Sequence, residues 1–444
     1  MLKSNIFTDF FKYTSLNVLG MLGLSFYILA DTFFVALGLG TDGLAALNLA
    51  IPIYNFIHGC GLMIGIGGGT KYSVHKIRGE SGNADKAFSH SVYLAAVFAA
   101  VFITAGLFLP KAIISLFGAE GSVFDMAVTY TRVILLFSPA FLMNNVLLCF
   151  VRNDGAPQLS MTAMLAGSFS NVILDWVFIF PCKMGIFGAV FATGLAPVIS
   201  MAVLSLHFIK KKSRFCFTGT KPDSRLFGGI LSGGIPSLVT EVSSGVVIII
   251  FNALIMGLEG NVGVAAYGVI ANISLVVSAV YTGIAQGIQP IISRSSGIGN
   301  KKDVFAVLRC ALISAVLISA AVYVSVFFFA EGIANIFNSE QNALLTAIAA
   351  EGLRLYFISA PFAGFNIIIS MYFTSSENPR PAHVVSLLRG FIAIIPLALL
   401  MSYLWQIRGV WCSFPASEFV SALTALSLFM LHSKKANAAL RKKS

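Results

Sequence analysis

The chain has 444 residues, 57% hydrophobic and 11% charged, with 39 Phe and a mean hydropathy of +0.88. Soluble domains carry about 25% charged residues, so a water-facing surface over the whole molecule is excluded and the chain belongs in a lipid bilayer. The formal charge of +11 reads as loop Lys and Arg that set membrane topology, not as a nucleic-acid footprint.

The N-terminus, MLKSNIFTDFFKYTSLNVLG, lacks a short apolar core followed by a small-residue cleavage site. No signal peptide is expected, and the first helix serves as the insertion signal. A spanning helix needs about 20 mostly apolar residues. By that measure the sequence predicts an all-α integral membrane protein of twelve spans: 13–37, 44–70, 87–110, 123–151, 159–181, 186–209, 228–257, 262–291, 304–330, 343–373, 383–404 and 409–432. The six cysteines are scattered, with no CxxC and no His at ligand spacing, and read as small apolar fillers.

The segments between spans alternate in charge. One set holds the N-terminus, 71–86, the turn near Arg152, 210–225, 294–302 with Arg309, the region of Arg380 and Arg389, and the tail. All but five of the 29 Lys and Arg fall there; the five are Lys111, Arg132, Lys183, Arg354 and Arg408. The positive-inside rule therefore puts both termini of a multi-pass plasma-membrane protein in the cytoplasm.

The chain also repeats itself. GTDGLAAL (40–47) aligns with GNVGVAAY (260–267), Gly65, Gly69, Gly79 and Asp85 with Gly283, Gly287, Gly297 and Asp303, and Arg132, Pro139, Asn144 and Pro157 with Arg354, Pro361, Asn366 and Pro379. Six crossings per repeat is an even number, so both halves enter with one orientation, related by a pseudo-twofold axis along the membrane normal. The expected domains are an N-terminal six-helix bundle (1–212), a cytoplasmic linker (213–227), a C-terminal six-helix bundle (228–432) and a basic tail (433–444). Two bundles around a central cleft suit alternating access. Helix prolines (Pro139, Pro197, Pro236, Pro361, Pro396, Pro415) and the run GIGGG (65–69) are candidate hinges.

Four acids stand inside spans: Asp31, Asp175, Glu241 and Glu418. A carboxylate at a helix centre costs about 2.5–3.5 kcal/mol to insert, so such residues usually face a cavity. Asp31 sits in FYILADTFFV (26–35) with no Lys or Arg within fifteen residues. Asp31 and Asp175 each lie about six residues, roughly 9 Å, inside the outer end of their spans, and Thr193 falls at a similar depth. Tyr27 and Asn171 precede the two acids by four residues, on the same helix faces. Two carboxylates brought together cannot both stay ionised, so the pair can hold a proton. The same oxygens can instead ligate Na⁺. Neither residue type nor spacing chooses between H⁺ and Na⁺.

The runs ADTFFVALGLGTDGLAALNLAIPI, NVILDWVFIFPCKMGIFGAVFAT and GIAQGIQPIISRSSG resemble the MATE family (multidrug and toxic compound extrusion transporters) over nearly the whole chain. The resemblance implies a secondary active antiporter exporting amphipathic, often cationic, drugs in exchange for H⁺ or Na⁺, with no other cofactor, working as a monomer. Carried over, Asp31, Asp175, Asn171, Tyr27 and Thr193 form the coupling-cation cluster. Glu241 matches a helix 7 acid, and Glu241 and Asn366 are the candidate substrate-binding residues. Asn366 stands in FAGFNIIIS where the NorM-type branch has an acid, so the likeness is to the DinF-type and MepA-type branches.

Two other readings are weaker. A flippase for a lipid-linked saccharide would want a cationic cavity, whereas only Arg132 and Arg354 enter the membrane near its outer edge. An intramembrane aspartyl protease would carry a GxGD stretch, while Asp31 and Asp175 sit in LADTF and ILDWV. GIGGGTK (65–71) is no phosphate loop, since Thr70 replaces the second glycine. The protein is thus expected to be a transporter and no enzyme.

Overall fold

In hydrocarbon, backbone N–H and C=O groups find partners only within their own segment, which is why each apolar run becomes a helix. The structure, a computed structural model, describes residues 6–338 and 341–441, those after Ser433 by backbone alone. Among them there is no strand. Eight continuous helical runs and one pair bent by 49° are long and apolar enough to cross a membrane. Three of these runs cross twice, which gives the twelve spans.

Helices α1 (6–39) and α2 (41–77) are the two parts of Ile6–Ile77, broken at Gly40. Helix α3 is Ser81–Phe108, α4 the bent pair Gly121–Leu136 and Ser138–Asn153, α5 Pro157–Ile179 and α6 Gly185–Leu204. The second half repeats the order. Helices α7 (224–259) and α8 (261–297) share Ser224–Gly297, broken at Gly260. Helix α9 is Lys301–Phe337, and α10 is Ala343–Ser375, with a 3₁₀ turn at Phe357–Ser359. Helices α11 (379–404) and α12 (407–441) meet at Trp405–Gln406. Most helices run past the apolar cores of their spans by a few residues, because intrahelical bonds serve equally well in the interfacial layer.

The duplication is written in the backbone. Gly40, Gly79, Gly121, Gly155 and Gly185 have φ between 59° and 96°, and Gly260, Gly299, Gln341, Glu377 and Gln406, displaced by 220 to 222 positions, have φ between 51° and 73°. The counterpart of Gly79 is therefore Gly299, not the Gly297 that sequence alignment suggests. Gln406 occupies φ 54°, ψ −136°, a region suited to glycine. Replacement by glycine (Gln406→Gly) should therefore raise stability by about 1 kcal/mol, read as a higher melting temperature of the purified protein in detergent.

Helices α1–α6 pack around one large apolar core and α7–α12 around two. The bundles meet where α1 crosses α8 and α2 crosses α7, at the end of the molecule rich in Lys and Arg. Here glycine lets backbones touch. A Cβ on Gly67 would lie 1.9 Å from the Ile230 carbonyl oxygen, and one on Gly234 would lie 1.8 Å from that of Met63. Gly283 and Gly287 abut Val18 and Thr14 in the symmetric α8–α1 contact. The GIGGG run, a candidate hinge, forms a packing surface here. Polar bonds add to the seam. Arg152 donates to Gln286, Asn153 to Gln289, Gln289 to Thr70, and Arg294 to the Asn153 carbonyl and Tyr13. Lys71 pairs with Glu377 at 2.6 Å. Among the described residues, no hydrogen bond or ion pair joins the opposite halves of α1 and α2 to those of α7 and α8. The polar ties between the bundles are thus gathered at the basic end.

The expected linker, 213–227, is not a loose tether. Residues 211–223 form an extended strap laid on the first bundle, and α7 begins at Ser224. Its backbone N–H groups are taken in turn: Arg214 by Asp154, Cys216 by Asp85, Thr218 by Ser89 and Asp223 by His90. Phe215 is buried among Tyr72, Phe88, Phe150 and His207. The expected tail from 433 continues α12 as helix to Arg441; residues 442–444 and the N-terminal 1–5 lie outside the described residues.

Candidate functional site

Asp31 lies nine residues before the Gly40 break and Asp175 four before the end of α5, so both sit toward the end opposite the basic one. Thr193, eight residues into α6, reaches the same region. Side-chain packing then brings them together. Asp175 has no exposed surface and Asp31 only 6%. Their carboxyl groups stand within hydrogen-bonding reach of each other. Asn171 bridges to Thr193. With Nδ2 toward Thr193, the Nδ2–Oγ1 distance is 3.4 Å; with the amide rotated, Asn171 donates to Asp175 Oδ2 at 3.0 Å and accepts from the Thr193 N–H at 3.2 Å. The rotated form satisfies both ends of the amide.

Asp31 Oδ1 and Asp175 Oδ1 are buried without a hydrogen-bond partner in the protein. Two adjacent carboxyl groups with free oxygens in a dry bundle demand either a shared proton or a small hard cation. Among the described residues no group of three or more His, Cys, Asp or Glu gathers to hold a metal ion, so the donor set suits a monovalent ion better than a transition metal.

Residues beyond the predicted set complete the site. Tyr130 of α4 is buried close to Thr193 and to both acids. Tyr27 is tied to Tyr54 of α2 through their hydroxyls at 2.9 Å, and Tyr54 stacks on His58 with ring centroids 5.7 Å apart. Below them is a cavity of about 70 Å³ lined by Tyr27, Tyr54, His58, Asn145, Arg152 and Thr193, room for about two waters at roughly 30 Å³ each. Nothing in TYTRV marks Tyr130 from sequence; the spacing of Tyr54 and His58, one helical turn apart, was a usable signal.

The other two candidates lie elsewhere. Glu241 is on α7 facing α2, its Cβ 3.0 Å from where a Gly59 Cβ would stand, so it sits on the seam between bundles. Asn366 has no exposed surface and gives its amide to Glu418, at 2.7 Å to Oε2 and 2.9 Å to the backbone carbonyl. The structure therefore groups the five first-bundle candidates but does not bring Asn366 to Glu241.

Comparison with known proteins fits this architecture. The chain is 24% identical over 433 residues to the multidrug export protein MepA of Staphylococcus saprophyticus, covering 97% of this chain and 94% of that one. It is also 24% identical to MepA from a Staphylococcus aureus strain, with the same coverage. Its fold superposes on a multidrug resistance MATE family transporter of the MOP superfamily in an outward-facing conformation, with a TM-score of 0.91 at 23% identity over 99% of this chain and 98% of the other. A MOP superfamily transporter from Pyrococcus furiosus, described as having a binding pocket of reversed polarity, matches with a TM-score of 0.90 at 23% identity, over 97% and 96% of the two chains. The MatE family model matches residues 18–177 and 236–400, which together take in most of both bundles, and the chain belongs to the MatE family.

Proposed function

We propose that the protein exports amphipathic, often cationic, organic compounds across the plasma membrane in exchange for H⁺ or Na⁺. The observation that carries this reading is the buried Asp31–Asp175 pair with an unpartnered oxygen on each residue. An ion there binds the outward- and inward-open states unequally, and a ligand shifts a conformational equilibrium only through such a difference. One charge crossing 100 mV supplies about 2.3 kcal/mol to the cycle. The MepA relatives, named as multidrug export proteins, support drugs as the cargo. The basic end faces the cytoplasm by the positive-inside rule. A cleft closed there corresponds to the outward-open state, in keeping with the outward-facing structural relative. Glu241 on the seam is the acid placed to meet a cationic substrate. The pseudo-symmetric two-bundle chain holds both halves of the cleft, so a monomer suffices.

Purified protein in sealed liposomes, loaded with a fluorescent lipophilic cation, tests this. A pH or a Na⁺ gradient, imposed separately, should drive dye movement. Asn at position 31 (Asp31→Asn) should reduce it to the protein-free level while dye binding persists. Coupled movement surviving in that variant would remove Asp31 from the ion site.

A further inference from the structure

The second bundle holds a carboxylate that the ion site does not use. Glu418, in mid-α12, is 2% exposed and fully bonded. Arg389 of α11 donates to its Oε1 from Nε at 3.0 Å and from Nη2 at 2.7 Å, and Asn366 of α10 donates to its Oε2 at 2.7 Å. The Arg389 side chain is itself only 15% exposed. Sequence patterning places Arg389 among the loop cations that set topology; the structure puts it inside the bundle. It does so through a local irregularity. Residues Leu388–Ile392 form a π-turn, a form that is rare and clusters at functional positions. The extra residue turns Arg389 toward α12 while Gly390 packs against Ser243 of α7.

A guanidinium keeps its charge at any pH the protein meets. We propose that Arg389 is a tethered counter-cation which permanently occupies the Glu418 carboxylate, so that this buried acid carries no exchangeable ion and, with Glu241 left to meet the substrate, coupling rests on Asp31 and Asp175. The inference rests on the antiport reading above for its consequence, but the occupancy of Glu418 can be tested apart from transport. Buried without a partner, a carboxylate must take up a proton or a metal cation. Removing Arg389 therefore converts a closed site into an exchangeable one. The titratable and charged groups facing Glu418 are Arg389 and Tyr356, the latter lying close enough to feel both charges; Asn366 does not titrate.

The test counts cations bound to purified full-length protein, using radioactive sodium in equilibrium dialysis together with potentiometric titration. Arg389→Gln should gain one cation equivalent per chain, as Na⁺ or as a proton. The double variant Arg389→Gln with Glu418→Gln should return to the wild-type count, and in liposomes should keep the wild-type ratio of ions moved per dye. No gain in a folded Arg389→Gln protein would overturn the proposal, as would a double variant binding one equivalent fewer than wild type. If instead the counts behave as expected but Asp31→Asn still couples, the counter-cation stands and the assignment of the ion site in the first bundle falls.

Discussion

Alanine at position 67 (Gly67→Ala) should cut transport by about 5- to 150-fold without unfolding the protein. Its Cβ would lie 1.9 Å from the Ile230 carbonyl oxygen and 2.8 Å from that residue's carbonyl carbon. Backbone atoms cannot rotate away as a side-chain tip can, so α2 and α7 must separate by about 1 Å. Overpacking of this kind costs about 1–3 kcal/mol, which corresponds to about that change in population. On the antiport reading proposed above, α2 and α7 part here in the inward-open state, so the cost falls on the state closed at the basic end. A cysteine placed at Ser295 in a cysteine-free background should accordingly react faster with an impermeant maleimide supplied from the basic side. Gly82→Ala, in open space, is the control. Unchanged labelling and unchanged transport in Gly67→Ala would show that the helices do not need this approach.

The largest loss of stability is expected for Asp154→Ala. Its buried carboxylate accepts from the Tyr72 hydroxyl at 2.5 Å, His207 Nε2 at 2.8 Å and the Arg214 N–H at 2.8 Å. Truncation leaves three donors facing apolar rings. Each buried donor left unsatisfied costs about 1–3 kcal/mol. The melting temperature should fall sharply, and trypsin should cut the freed strap at Lys210, Lys211, Lys212 or Arg214. Asp154→Asn, which keeps the volume and one acceptor, should lose less. A strap that stays protease-resistant in Asp154→Ala would mean that Phe215 alone pins it.

The spans were legible because a bilayer punishes polar residues over a fixed thickness, so apolar run length maps onto helix length. The breaks at Gly40 and Gly260 showed as GTDG and GNVG. The first-bundle cluster was legible for the same reason: Asp31 and Asp175 stand out only because so little around them is polar. Helical spacing then added Tyr27 and Asn171. What escaped was depth and partnership. The sequence counts Arg152 and Arg389 among the topology-setting cations because they lie near charged segments. Yet Arg152 is 1% exposed, bonded to Asn17 and Gln286 between the bundles, and Arg389 reaches Glu418 only through a π-turn that no pattern announces. Tyr130 was invisible because an aromatic on an apolar helix is ordinarily core or lipid-facing.

The strap has a mechanical consequence. A free linker of that length would let the two bundles drift, and their mutual geometry would rest on the seam alone. With its amides held by Asp154, Asp85, Ser89 and His90, the strap belongs to the first bundle, and the chain passes to the second where Asp223 caps α7. The second bundle is thus mounted on a fixed pivot at one basic corner. Displacement in any rocking motion grows with distance from that corner, smallest beside His90 and largest at the far mouth of the cleft. A single residue inserted between Asp223 and Ser224 would shift the fulcrum itself.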